Sequence, residues 1–346
     1  MSDHYCSFVP PFVLDKLEDS VGLPVEDAEI ANATREARAD AIAEVTPTAG
    51  EGPVPVAPTA TGTSRREVYD SQTTTNKQHV LVRAEGDPAT ADQHVTDAYN
   101  HAGTVRSFLG EVLGRESLDN RGLDQILNVH YGNKYNNAFW DGSQMTFGDG
   151  DGVIFSGFVR SLEVVAHELG HGVTQYTAGL EYKRQSGALN EHFSDVLGTA
   201  ITQWAEGQSP IDADWLVGDE IMGPSLYGEA LRSMAHPGEA YDNDLIGKDP
   251  QRAHMDNLYK GNGDNGGVHI NSGIPNRAFY LTAMELDDTM VATRIWYHAL
   301  QNLGPKTTFA QGAKQVAESA RNLVHAGEAP LGAPQAVRGA FNEVGL

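Results

Sequence analysis

The run His167-Glu168-Leu169-Gly170-His171, with Asn190-Glu191 after it, constrains the fold of this 346-residue chain more than any other stretch. On a helix, residues four apart stand one above the other, so the two imidazoles share a face. At that spacing they can grip one divalent ion while Glu168 lies beside it. Glu191 follows His171 by twenty residues, far enough for the chain to turn and bring a third ligand back on a second helix. The fold must therefore set two helices side by side. Two imidazoles and one carboxylate leave a coordination position open, as catalytic zinc sites do and structural ones do not.

The bland reading of the same run is two surface histidines with a solvating Glu. Its context argues otherwise. Leu162, Val165, Ala166, Leu169, Val173 and Tyr176 give the helix an apolar side, and a buried histidine needs a partner or a metal. Gly170 and Gly172 each cost about 1 kcal/mol against alanine in a helix, a loss that tight packing or functional constraint would explain. Ser161 is the expected N-cap, with Glu163 favourably near the positive helix end. Gly179 stops the helix after about Ala178. The bland reading of Glu191 is an ordinary helical Glu. Asp195 shares its face and is placed to accept the far N–H of a ligand histidine. His192 is expected at the surface.

Around this core the chain divides into a leader (1–45), a cleavable linker (46–66), a β-rich lobe ending in the two-histidine helix (67–178) and a helical lobe (179–346). The leader holds an apolar patch from Phe8 to Leu17 and an Ala-, Glu- and Arg-rich helical stretch from about Val25 to Val45. Residues 46–64 are Pro, Gly, Thr and Ala with almost no large apolar side chains, a segment that cannot bury a core and is a natural nick site. Strands are expected at 68–70, 79–83, 126–131 and 145–147, and helices at 91–116, 189–205, 274–286, 288–302 and 307–325. The class is α+β and two-lobed, with the site between the lobes.

A formal charge of −23, from 24 basic and 47 acidic side chains, repels nucleic acid and anionic membranes. Neither is expected as a partner, and the chain is expected to be a monomer. The single cysteine, Cys6, excludes an internal disulfide; its thiolate is chemically able to cap a zinc ion, but with no partner motif beside it an incidental cysteine is the preferred reading. The N-terminus lacks the basic and apolar regions of a secretory signal, and no run is long and apolar enough to span a bilayer. The expectation is a cytoplasmic protein, or one exported by a non-classical route.

Taken together, His-Glu-x-x-His, Asn190-Glu191, Ser194-Asp195, Asn136-Asn137-Ala138-Phe139-Trp140, Gly148-Asp149-Gly150-Asp151-Gly152 and Asp264-Asn265-Gly266-Gly267-Val268-His269-Ile270-Asn271-Ser272-Gly273 resemble the thermolysin family of zinc endopeptidases, in the family's order, from about residue 67 to the C-terminus. The resemblance implies that His167, His171 and Glu191 hold zinc, with Asn190 and Asp195 orienting the ligands. It implies that Glu168 is the general base, that Tyr182 and His269 stabilise the oxyanion and that Asp264 orients His269. Asn137, Ala138 and Arg232 would bind the substrate backbone. Phe155, Val164 and Leu231 would line a pocket for a large apolar residue on the amine side of the cut. Two departures stand out. Glu163, Asp214 and Asp219 match calcium ligands, but Thr202 and Leu216 replace two acidic ones, so at most one weak calcium site is expected. The short leader, with Pro10-Pro11-Phe12, resembles the propeptide of the protealysin subgroup, which packs near the cleft. The chain is thus expected to be a self-inhibited precursor whose partners are peptide substrates and its own leader, cut by autolysis within 46–66.

Overall fold

The computed structural model describes residues 6–19 and 64–346. Six strands form the main sheet: β1 (Cys6–Ser7), β2 (Arg66–Asp70), β3 (Val80–Ala84), β4 (Gln125–Val129), β5 (Ala138–Trp140) and β6 (Met145–Phe147), in the order β1-β5-β6-β4-β2-β3. Helix α1 (Pro11–Asp19) follows β1. The pairs β2/β4 and β4/β6 are parallel and the others antiparallel. Helix α2 (Gln93–Glu111) lies between β3 and β4 in the chain and buries Val95, Ala98, Tyr99, Ala102, Val105, Phe108 and Leu109. Asp92 begins it by accepting the amides of His94 and Val95, satisfying two of the donors that every helix start leaves free.

The rest of the chain is mostly helical: α3 (Leu162–Gln175), α4 (Arg184–Glu206), α5 (Asp264–Asn271), α6 (Gly273–Leu286), α7 (Thr289–Leu300), α8 (Phe309–Ala326) and α9 (Ala333–Glu343). Ser161 caps α3 as expected, its hydroxyl accepting the Val164 amide at 3.3 Å. The helix ends at Gln175, slightly before Ala178, and Gly179 adopts φ +59° just beyond it. Helices α3 and α4 pack directly on one another, and glycines make this possible. A Cβ on Gly170 would stand 3.1 Å from Ser194 Cα, and one on Gly198 would stand 3.1 Å from the Glu163 carbonyl oxygen. A Cβ on Gly172 would press Leu118 and Trp140 at 3.2 Å. The helix propensity lost at these positions is offset by close backbone approach.

One continuous hydrophobic core joins the sheet, α3, α4 and the helical lobe, and Phe8, Val9, Val13, Leu14 and Leu17 of the leader belong to it. The expected helix at 25–45 and residues 46–63 of the linker lie outside the described residues, while Arg66 at its end already begins β2. Among the described residues no helix is long and apolar enough to cross a membrane.

Candidate active site

Helix α3 presents His167 and His171 to α4, which presents Glu191 to them. All three are buried. His167 Nε2 lies 3.6 Å from Glu191 Oε2, and His171 Nε2 lies 3.5 Å from Glu191 Oε1. These separations are too long for hydrogen bonds. They suit atoms sharing one ion, since bonds of 2.0–2.2 Å in a tetrahedron place ligand atoms roughly 3.4 Å apart. His167 Nε2, His171 Nε2 and Glu191 Oε2 have no hydrogen-bond partner. Orphaned buried polar atoms are costly unless something binds them, so the donor set fits a zinc ion.

The far side of each imidazole is held. His167 Nδ1 lies 2.8 Å from Asp195 Oδ1. His171 Nδ1 lies 2.8 Å from Asn190 Oδ1 and 3.0 Å from Ser194 Oγ. A proton on Nδ1 leaves the Nε2 lone pair free for a metal. Asp195 also accepts Arg232 Nη2 at 2.8 Å and Asn276 Nδ2 at 2.8 Å. Burial disfavours its charge, but Arg232 and His167 outweigh that and hold the carboxyl well below the usual range. Burial pushes His171 down to about 4, so the ring is neutral and able to ligate. Glu168, beside the ligands and fully buried, shifts the other way. Burial and the neighbouring Glu191 raise it well above an ordinary carboxylate, opposed by the amides of Trp140 and Phe8 and by Arg232. A carboxyl raised in this direction is a better proton acceptor than an ordinary one.

His269 closes the site from α5. Asp264, Asn265, Gly266 and Gly267 all take positive φ, so regular helix begins only at Val268. Gly266 and Gly267 suit that bend. Asp264 then folds back as a cap, its Oδ2 accepting the amides of His269 at 2.8 Å and Ile270 at 3.1 Å. Its Oδ1 lies 2.6 Å from His269 Nδ1. His269 Nε2 therefore faces the site, 3.5 Å from Glu191 Oε2 and 3.3 Å from the Tyr182 hydroxyl. Tyr182 donates to Glu191 Oε1. Burial lowers the His269 pKa, but Glu191 and Asp264 more than reverse this.

The groove beside the site contains the leader. β1 adds to β5 antiparallel, pairing Cys6 with Trp140 and Ser7 with Phe139. The Phe8 amide donates to the Ala138 carbonyl at 3.1 Å. The Asn137 side chain holds both backbone groups of Val9, at 2.9 and 3.2 Å. Arg232 Nη1 donates to the Phe8 carbonyl at 3.2 Å. The Phe8 ring is fully buried, edge-on to His167 at 5.0 Å between centroids. A Cβ on Gly218 would meet that ring at 2.9 Å and Leu231 at 3.3 Å, so the absent side chain leaves room for it. Phe155 and Val164 are buried in the same core cluster as Phe8 and Leu231.

Three expectations need comment. His192 is not at the surface. It is buried, with Nδ1 2.7 Å from Asn276 Oδ1 and Nε2 accepting the Trp296 indole N–H at 2.7 Å. Its role is to pin α4 to α6 and α7. Cys6 is buried with its sulfur among the ligand atoms of His171 and Glu191, a place no sequence pattern around it signals. The suggested calcium residues Glu163, Asp214 and Asp219 line one cavity together with Thr202 and Leu216. Glu163 accepts the Gly218 amide at 2.9 Å and the Thr199 hydroxyl at 3.2 Å, and Asp214 accepts the Leu216 amide at 3.0 Å. Sequence reading named Ser194 in the motif but gave it no role, and passed over Gly218. Ser194 lies three positions after Glu191, so helical spacing could have found it. Gly218 carries no sequence signal.

A buried two-histidine, one-carboxylate centre with a raised carboxyl beside it, set between a β-rich lobe and a helical lobe, defines a zinc hydrolase. Residues 56–175 match the family model described as the thermolysin metallopeptidase catalytic domain, and residues 178–346 match that of its alpha-helical domain. An extracellular metalloprotease of Pectobacterium carotovorum subsp. carotovorum is 45% identical over 303 residues, covering 85% of this chain and 84% of that protein. Thermolysin of Alicyclobacillus acidocaldarius subsp. acidocaldarius is 40% identical over 268 residues, covering 75% of this chain and 46% of that protein. The solved precursor of protealysin, a metalloproteinase from Serratia proteamaculans, superposes with a TM-score of 0.86 at 39% identity, covering 98% of this chain and 99% of that one. The chain belongs to the thermolysin family: it is a neutral zinc metalloendopeptidase in a propeptide-bearing form.

Proposed function

We propose that the groove of β5 and Arg232 is the substrate site and that the chain's own leader occupies it as an intramolecular inhibitor. The observation that carries this is the seating of Phe8 and Val9. Each backbone partner there (Ala138, Asn137, Arg232) is one that the family resemblance assigns to substrate. An extended peptide added to an exposed strand draws affinity from main-chain bonds and selectivity from side-chain pockets. The buried Phe8 ring then indicates the preferred residue on the amine side of the cut, a large apolar one, in a pocket bordered by Leu231 and Gly218, with Phe155 and Val164 in the same hydrophobic core.

His167, His171 and Glu191 would hold the zinc, which when bound polarises the scissile carbonyl and acidifies a water. Glu168 takes the proton of the attacking water and passes it to the leaving nitrogen. His269 and Tyr182 donate to the oxygen on which charge develops, and Asp264 keeps the His269 ring in place. Asn190 and Asp195 hold the ligand rings. The acidic surface favours peptides over nucleic acid as partners, and a monomer is the working assembly. The decisive test is hydrolysis of peptides with Leu or Phe after the cut, with product mapping, by protein freed of its leader. Wild type should cut before those residues and lose this on chelation. Glu168→Gln should keep its zinc and slow by about 10²–10⁴-fold. Cleavage that persists in the metal-stripped protein overturns the assignment.

A further inference from the structure

We propose that the leader lies in the groove in the productive register of a substrate, and that the first bond the protein cuts in itself is Ser7–Phe8. The inference rests on the catalytic roles given above. It moves the first cut from the linker to the peptide bond already at the site.

The amide joining Ser7 and Phe8 has its two ends where hydrolysis needs them. The Ser7 carbonyl oxygen is 3.1 Å from His269 Nε2, the donor assigned to the oxyanion. The Phe8 nitrogen is held by the Ala138 carbonyl, to which its N–H donates at 3.1 Å, and the Glu168 carboxylate is buried with neither oxygen hydrogen-bonded. On the amine side Phe8 fills the apolar pocket, Arg232 holds the next carbonyl and Asn137 holds both backbone groups of Val9. The neighbouring bonds lack this arrangement. The Phe8 carbonyl accepts from Arg232 and not from His269, and among the described residues no histidine donor is recorded for the Cys6 carbonyl. An inhibitor that merely fills a cleft need not match every substrate contact, whereas a seated substrate must.

The reaction consumes one water. Its oxygen bonds to the Ser7 carbonyl carbon, the bond from that carbon to the Phe8 nitrogen breaks, and Glu168 carries the proton from water to that nitrogen. The products are a carboxylate on Ser7 and an ammonium on Phe8, whose nitrogen ends with both hydrogens of the water. The cut need not open the groove, because Val13, Leu14 and Leu17 of α1 stay buried in the core and keep the new N-terminus docked.

The experiment uses the full chain, purified metal-free, with zinc added and intact mass followed in time. The expected first product is a chain beginning at Phe8, formed at a rate independent of protein concentration. Glu168→Gln should remain whole. Phe8→Leu should keep the cut, and Phe8→Ala should slow it by about 100-fold or more, since the pocket loses most of its occupant. A first new N-terminus elsewhere, with Ser7–Phe8 intact, overturns the proposal. So does a thiolate-to-metal absorption band in cobalt-loaded Glu168→Gln protein, because Cys6 would then hold the position that the water needs. An added Leu- or Phe-containing peptide separates the two readings. If leader-free enzyme cuts it while bond 7–8 survives in the precursor, the register is wrong and the site assignment stands. If neither is cut, the site assignment itself fails.

Discussion

The cluster of His94, His130 and Asp149 and the cluster of His167, His171 and Glu191 use the same side-chain types, yet their chemistry is opposite. In the first, the ligand atoms are already matched to each other. His130 lies 2.8 Å from Asp149 through Nδ1 and 2.9 Å from Asp92 through Nε2, and His94 Nδ1 lies 3.0 Å from Asp149. A histidine with carboxylates at both nitrogens carries both protons and has no lone pair for a metal. Asp149 and Asp92 accordingly raise His130 to about 9 against the pull of burial. In the second cluster, the far nitrogens lie within 3.0 Å of Asp195, Asn190 and Ser194, while the near ones have no hydrogen-bond partner and converge. The comparison teaches that the presence of histidines and acids does not make a metal centre. Unmet, convergent lone pairs do.

The sharpest way to break this contrast is to remove one ligand from each cluster. His171→Ala should reduce bound zinc from stoichiometric to trace and abolish peptide hydrolysis. His94→Ala should leave zinc content unchanged. Elemental analysis of the two purified variants reads this directly, and equal losses would mean that the clusters are not different in kind. A smaller effect belongs to the charge-stabilising side. His269→Ala should retain zinc but lower turnover by about 10²–10³-fold, the usual cost of losing one oxyanion donor, measured on a peptide substrate with the leader removed. An unchanged turnover would remove His269 from the chemistry. Smaller still is Asn190→Ala. Loss of an outer partner of a ligand histidine weakens metal affinity by about 10–100-fold, and Ser194 remains 3.0 Å from the same nitrogen. A loss near tenfold is expected in competitive zinc titration.

The same contrast shows what a sequence can and cannot disclose. The metal centre is local: two helices, an i,i+4 pair and a carboxylate on the return helix. Periodicity and spacing therefore located it, and the glycines of α3 correctly marked close packing. Strand β5 was not assigned as an element; its three residues are all buried, as are those of β6, which was assigned, so alternation separated neither of them from a loop. Helix α9 escaped too, its buried face being mostly alanine, with Val337 and Phe341 the larger members. His192 was misplaced because its partners, Asn276 and Trp296, come 84 and 104 residues later. The burial of Cys6 and the seat of Phe8 depend on a leader strand joining an edge far along the chain, and on a cavity made by the side chain that Gly218 lacks. Such facts belong to tertiary packing and leave no mark on neighbouring residues.

The smallest effect falls on the self-satisfied cluster and sharpens the comparison by its pH dependence. His130 faces Asp149, Asp92 and the stacked ring of His94, 5.1 Å away between centroids. Its pKa rises to about 9 in the folded protein, from about 6.5 when unfolded. The stability it contributes is full below the unfolded value and is lost as pH rises through the folded one. Asp149, held at about 2 by His130 and His94 against its burial, contributes above about 4 and loses this as pH falls through its folded value. His130→Gln should therefore lower the melting temperature by a few degrees near neutral pH, for about 1–2 kcal/mol after solvent screening. The gap to wild type should close by about pH 10, where wild-type His130 is itself neutral. Zinc content should not change across the series. A gap that persists undiminished at high pH would show that the ring acts by shape and hydrogen bonding alone, and the cluster would then be uncharged and open to a metal after all.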